Sequence, residues 1–336
     1  MIDDVIPGQV FKSFEKQLQN KGEENIDLTL KEIMQKIVPG MCHWSHPHNI
    51  AWFPCIHPRV TILGSMLEYS LNCVGSSWSS CPAMTEMEQL VLDWLADLLG
   101  LPDHFKFNSK SNGGGAFHGT AGEAIFIACL ACRSRVLRSD SNINPRDIVA
   151  YCSDQAHSTC WRAADMSLMQ LRKIKSDELG RMDVQNLIEQ MKIDHESGLH
   201  PAFIAVTLGT TGLCAFDDLY SIVEHVRKFE IDTGLKIWIH VDAAYGGPAF
   251  WLTEKRHLMR GVVEVDSFNT QMAKIGLGGS ADSSPMWVRN RLDFHEAFTE
   301  TSDDFDTNQN ELEDQGKHSS FSLLSAYDHH KKSFRL

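Results

Sequence analysis

The run Ile237-Trp238-Ile239-His240-Val241 is apolar at consecutive positions, not alternate ones. A strand of that kind is buried on both faces, which is the condition of a parallel sheet covered by helices. Runs of the same character stand at Ile148–Cys152 and Phe203–Leu208, with helical patterns between them near residues 121–138, 183–195 and 217–230. Strand alternating with helix implies an α/β architecture with a mostly parallel sheet. Such sheets bind ligands beyond the carboxyl ends of their strands. The run at 237 delivers Asp242 to that edge, followed by Ala243-Ala244-Tyr245-Gly246-Gly247. A second short strand is expected over Val262 to Phe268, leading to Lys274 at the start of a glycine-rich loop.

An Asp able to keep a pyridine nitrogen protonated and a Lys able to form a Schiff base are the pair that a pyridoxal phosphate (PLP) site requires. The longer segments around them are similar to those of a known family. His240 to Gly247, HVDAAYGG, resembles the HVDAAYAG segment of the group II PLP-dependent decarboxylases, which include the aromatic-L-amino-acid and histidine decarboxylases. Asp266-Ser267-Phe268-Asn269 followed by Lys274 resembles that family's lysine segment, and Met286-Trp287-Val288 its MWV strand. Further matching stretches lie at Pro39 to His43, Trp78 to Glu88, Ser153 to His157 and Thr207 to Thr211, so the resemblance runs from about Ile33 to Val288.

The resemblance implies the large domain of a fold-type I PLP-dependent enzyme and decarboxylation of an L-amino acid, aromatic or histidine, to the amine and carbon dioxide. Lys274 would hold PLP, Asp242 would face the ring nitrogen, and a protonated ring is the electron sink that decarboxylation needs. Burial should lower the Lys274 amine pKa. His157 matches the histidine that stacks on the ring and meets the substrate, and its presence favours decarboxylation over the family's aldehyde-forming reaction. Thr211 matches a threonine beside the cofactor, and Asp217 a second, supporting acid. Both are also ordinary turn residues.

The stretch Gly113-Gly114-Gly115 to Gly119-Thr120-Ala121-Gly122-Glu123 reads as a glycine-rich turn opening a helix, which aims backbone N–H groups at an anion. It is not a dinucleotide fingerprint, because His118 occupies the third glycine position. It resembles the family's phosphate segment at Thr120 and Ala121. Gly122 replaces the usual serine and loses a hydroxyl. Gln271-Met272-Ala273 stands where the family has Asn-Pro-His, which leaves Gln271 as the residue to reach the phosphate. Trp52, Pro54 and Cys55 would line the substrate pocket, with Ser76 in place of a bulky aromatic. His43, His46 and His48 lie close together, but no carboxylate or cysteine stands at a usual ligand spacing, so no metal is expected.

Composition narrows the alternatives. A net charge of -13 argues against a nucleic-acid or acidic-membrane partner. No apolar stretch approaches the roughly 20 residues of a membrane span, and no signal peptide is visible. Nine scattered cysteines suit reduced thiols in the cytosol, and Cys129-Leu130-Ala131-Cys132 lies in an apolar helical run. Thr85-Glu86-Met87-Glu88 reads as a capping box opening a helix that buries Leu90, Val91, Trp94, Leu95 and Leu98 and ends at Gly100.

Three segments are expected: a lead-in over 1–40, a PLP-binding domain over 41–291, and an acidic loop and tail over 292–336. The family continues past this point into a small C-terminal domain, and its opening N-terminal helix has no counterpart here. Family members form homodimers with the active site between subunits. The expectation is therefore of a chain weakly active by itself. Its alternatives are an inactive paralogue and an enzyme making aldehyde by oxidative deamination. Tyr327 is the one nearby candidate for the family's mobile-loop tyrosine.

Overall fold

The computed structural model describes residues 9–14, 25–44, 46–49, 58–75, 80–274 and 283–298. Two compact units are formed, Met1–Pro54 and Cys55–Leu336. In the first, helices α1 (Gln9–Lys12) and α2 (Ile26–Glu32) are followed by a π-helical turn, Ile33–Ile37, and a 3-10 turn, Val38–Gly40. Asn25 caps α2, its side chain accepting the amides of Asp27 and Leu28. Lys36 pairs with Glu32 and lies 4.9 Å from the centre of the Phe14 ring.

The second unit holds a seven-stranded sheet: β1 (Gly114–His118), β2 (Ile148–Ser153), β3 (Gln170–Ile174), β4 (His200–Thr207), β5 (Trp238–Ala243), β6 (Ser267–Thr270) and β7 (Ser284–Val288). Their spatial order is β1-β7-β6-β5-β4-β2-β3. All neighbours are parallel except the two pairs made by β7. Because β7 is antiparallel to both β1 and β6, those two run in the same direction as the rest. Six strands therefore end at one edge. The helices are α3 (Arg59–Leu71), α4 (Pro82–Leu99), α5 (Ala121–Ser139), α6 (Ser158–Met166), α7 (Val184–Glu196), α8 (Leu219–Thr233) and α9 (Leu292–Phe298).

The expected strand-and-helix alternation is present, and its cause is visible in the core. Successive strand residues enter two different apolar clusters, one on each face. Val149, Tyr151, Ile204, Val206, Ile239 and Val241 pack with α4, α7 and α8. Ala150, Cys152, Phe203, Ala205 and Trp238 pack with α5, α6 and α9. Cys129 and Cys132 lie inside the second cluster, where burial holds both thiols above their ordinary pKa, that of Cys132 at about 12. They are packing residues and poor nucleophiles. Phe294 on α9 is fully buried, so the folded region continues past Arg291.

Three local expectations are corrected. The expected strand at Val262 begins instead at Ser267: Gly261 takes φ 101° and Val262–Glu264 forms a 3-10 turn. Helix α4 starts at Pro82, three residues before the supposed capping box, since proline suits the first helical position. Glu88 does not close a box, and its carboxylate accepts the amide of Phe117 at 2.9 Å. The buried face of α4 is Leu92, Ala96 and Leu99, while Leu90, Trp94 and Leu98 are exposed. Gly100 does end the helix, at φ 74°.

The triple glycine is not an anion-binding turn. It enters β1, an edge strand, where backbones approach closely. A Cβ on Gly115 would stand 2.1 Å from the Met286 carbonyl oxygen, and one on Gly113 would stand 1.9 Å from that of His104. Gly115→Ala must push β1 from β7 and should cost about 3 kcal/mol. Urea unfolding of the variant beside the parent measures this, and unchanged stability would refute the packing role.

Candidate active site

The loops leaving β1, β2, β4, β5 and β6 meet at the common edge of the sheet and enclose a cavity of about 470 Å³. Its walls carry Thr120, Ala121 and Gly122 after β1, His157 after β2, Thr211 after β4, Asp242 at the end of β5, and Gln271 and Lys274 after β6. Of the cofactor residues expected from sequence, only Asp217 is off the wall. It lies behind it, accepting the amides of Met182 at 2.6 Å and Thr207 at 2.8 Å. Burial holds its carboxyl at about 6 against those two donors. Trp52, Pro54, Cys55 and Ser76 lie outside the described residues, as do the loop from Ile275 and Tyr327.

Asp242 is 4 % exposed. One of its oxygens accepts the amide of Ala244 at 3.0 Å. Burial raises its pKa, while that amide and the charges of Lys274 and His157 pull it down. Lys274 is displaced the opposite way: burial lowers its amine, and Asp242 offsets part of the effect. His157 also sits below its ordinary pKa through burial and the charges of Lys274 and Arg162, so its ring is neutral at pH 7.

Thr120 caps α5, its hydroxyl accepting the amide of Glu123 at 3.1 Å. Ala121 and Gly122 line the cavity, and their amides belong to the first turn, where a helix supplies no acceptor. His157 likewise caps α6, so two helix amino termini border the cavity.

Cavity residues that the sequence reading missed are Thr159, Arg162, Thr207, Gly209, Ala244 and Tyr245. Ala244 and Tyr245 stand in the very motif that identified Asp242, and Thr159 is two residues past His157. Arg162 carried no signal of its own. Gly209 takes φ 96° and its Cα passes so close to Gly246 that a Cβ would stand 2.7 Å from that amide nitrogen.

This donor set suits pyridoxal phosphate. It supplies a buried carboxylate with an oxygen to spare, an amine of lowered pKa, and first-turn amides for a phosphate. The Thr207 hydroxyl, also on the wall, is buried and unpartnered.

Comparison with known proteins agrees. The family model described as the pyridoxal-dependent decarboxylase conserved domain matches residues 7–320. The chain belongs to that family, a class of PLP-dependent carboxy-lyases. It is 37 % identical to the histidine decarboxylase of Drosophila melanogaster over 309 residues, 88 % of this chain and 35 % of that protein. It is 37 % identical to the aromatic-L-amino-acid decarboxylase of Cavia porcellus over 303 residues, 88 % of this chain and 62 % of that one. The solved structure of Catharanthus roseus tryptophan decarboxylase in complex with L-tryptophan superimposes with a TM-score of 0.81 at 33 % identity, covering 89 % of this chain and 63 % of that one. The chain thus spans less than two thirds of the length of these relatives.

The opposed shifts of Lys274 and Asp242 make a testable pair. Asp242→Asn removes the charge that holds the Lys274 amine up, so its pKa should fall further. The pH dependence of reductive methylation at Lys274, read by mass spectrometry without cofactor, reports this. A titration that stays put or moves upward would break the pairing.

Proposed function

We propose that this chain binds pyridoxal 5′-phosphate in the cavity and decarboxylates an L-amino acid with an aromatic or imidazole side chain, giving the amine and carbon dioxide. The observation that carries the reading is the convergence of Asp242, Lys274 and His157 with the α5 amino terminus on one cavity. When bound, the cofactor supplies an electron sink for the pair left by the departing carboxylate.

The chain's own residues do the rest. The lowered pKa of Lys274 leaves a larger neutral fraction of its amine to hold the cofactor aldehyde. Asp242 keeps a proton on the ring nitrogen by charge, in a site dry enough for that charge to act strongly. The first-turn amides of Ala121 and Gly122 would hold the phosphate, with Thr120, Gln271 and Thr211 beside them. His157 meets the substrate as a neutral ring. Asp217 supports from behind by fixing Thr207.

The experiment is to express residues 1–336, add pyridoxal phosphate, reduce with borohydride and map the peptides. The pyridoxyl group should appear on Lys274. The unreduced protein should release carbon dioxide from one of tryptophan, tyrosine, dihydroxyphenylalanine or histidine. Asp242→Asn should retain the label and lose about a hundredfold in rate, the size of one preorganised electrostatic contact. Ammonia and aldehyde in place of amine would identify oxidative deamination, and a labelled Lys274 with no turnover would identify an inactive paralogue. A label elsewhere would remove Lys274 from the site.

The same reading includes a homodimer acting in the cytosol. The eight cysteines among the described residues are free thiols, in keeping with a reducing compartment. Support for self-association comes from apolar side chains exposed on two helices: Val60, Leu63, Met66, Leu67 and Leu71 on α3, and Leu90, Trp94 and Leu98 on α4. Several exposed apolar side chains on one helix are the kind of surface that a partner covers. Sedimentation should find a dimer that Trp94→Glu shifts towards monomer, whereas a parent chain that stays monomeric at high concentration would refute it.

A further inference from the structure

We infer that Thr159 is a positioning residue that fixes His157 as the neutral tautomer with its proton on Nε2, and that Gly122 leaves the space which holds Thr159 in the rotamer this requires. The inference deepens the proposed function, since it assumes that His157 is the residue that meets the substrate.

The argument begins with the His157 ring. The Thr159 amide donates to its Nδ1 at 3.3 Å, and the Thr159 hydroxyl lies 3.0 Å from the same nitrogen. A backbone amide can only donate, but at 3.3 Å it does so weakly: it biases Nδ1 towards presenting its lone pair, and the hydroxyl, donating at the shorter distance, supplies the larger share of that preference. The single proton of the neutral ring then belongs to Nε2. Among the described residues Nε2 has no partner, and the ring lines the cavity. His157 therefore offers the cavity a hydrogen-bond donor, not a base. It can hold a substrate carboxylate oxygen or another acceptor, and it cannot remove a proton through Nε2.

Two contacts to Nδ1 come from one residue, so the rotamer of Thr159 matters. A β-branched side chain has few χ1 choices in a helix. Here the choice is made by a neighbour: a Cβ on Gly122 would stand 2.8 Å from the Thr159 methyl and 3.3 Å from its Cβ. The methyl thus packs on the bare Cα of Gly122, and with the methyl seated there the hydroxyl points to His157. The missing serine hydroxyl at 122 and the threonine at 159 are two halves of one arrangement. A side chain at 122 would drive the methyl out and swing the hydroxyl away.

The test reads the tautomer directly. The full chain, labelled with 15N-histidine, is studied by long-range proton–nitrogen correlation at pH 7, with and without pyridoxal phosphate, and His157 is assigned from His157→Gln. The parent should show one neutral tautomer with Nε2 protonated. Thr159→Val loses the shorter contact and should populate the Nδ1-protonated form. Gly122→Ala should do the same by displacing the methyl. Thr159→Ser keeps the hydroxyl without the methyl, so it should resemble the parent, and Gly122→Ala with Thr159→Ser should return towards it. If Gly122→Ala does not fold, the valine and serine variants decide. A parent protonated on Nδ1, or a Thr159→Val spectrum identical to the parent's, would overturn the inference. The spectrum requires no turnover: the expected tautomer in a chain that releases no carbon dioxide would sink the decarboxylase reading and leave this one standing.

Discussion

A carboxylate buried at the end of a strand is the constraint on which this site depends. Asp242 keeps 4 % of its surface, and burying an ionised group costs several kcal/mol unless charge or hydrogen bonds offset it. The offsets come from separate pieces of chain: the Ala244 amide next to it, Lys274 after β6, and, when its ring is protonated, His157 after β2. Each can act only if the strands keep register, with Asp242 opposite Thr207 on one side and Asn269 on the other. The Leu208 amide bonds to the Asp242 carbonyl at 2.9 Å and continues the β4–β5 pairing past the strand end. Local sheet geometry and site electrostatics are here one problem.

The strands hold that register because they are pinned on both faces. His240, two residues before Asp242, shows how tightly. Burial holds its ring neutral, with a pKa of about 4. Its Nε2 is 2.9 Å from the Asn269 side-chain oxygen, Oδ1, and so donates to it. Its Nδ1 is 2.7 Å from the Ser267 hydroxyl, which donates in turn because the Trp238 indole N–H occupies the oxygen's accepting side at 2.8 Å. The hydrogens of Trp238, Ser267 and His240 each have one consistent place, while the Asn269 amide nitrogen is buried without a partner; the satisfied chain is the part that specifies structure. The network ties β5 to β6, the two strands that carry Asp242 and lead to Lys274.

What could be read from the sequence follows from these physical causes. Doubly buried strands such as β2, β4 and β5 announce themselves by continuous apolar runs. Strand β3 does not: four of its five residues are only partly buried or exposed, and Arg172 and Lys173 break the pattern. Strand β1 was hidden by its glycines, which look like a turn and are there for close approach to β7. The face of α4 was misjudged by one position because Asp93, a charged residue, is buried to accept the amides of Phe107 and Asn108. A hydrophobic pattern cannot anticipate an inward carboxylate. Asp242, Lys274 and His157 stand in recognisable motifs, whereas Thr159 and Arg162 reach the cavity wall only because α6 presents them there.

The cavity's electrostatics point in one direction. Asp242 is pushed up, Lys274 and His157 are pushed down, and burial is the largest cause in all three. These three groups are driven towards neutrality, Asp242 and Lys274 against the pull of their neighbours. A structural ion pair shows the opposite: Lys106, set between Asp97 and Asp103, is raised by its partners. Displacement towards neutrality means that the cavity withholds solvation that its own groups do not fully replace. A ligand with a protonated ring nitrogen would restore the charge of Asp242, and its anionic end would find the amides at the α5 terminus. The same depletion lowers the Lys274 amine and so enlarges its nucleophilic, neutral fraction. The features that make the cavity costly to form are those that suit it to a charged, planar cofactor, as expected where strain and function share a site.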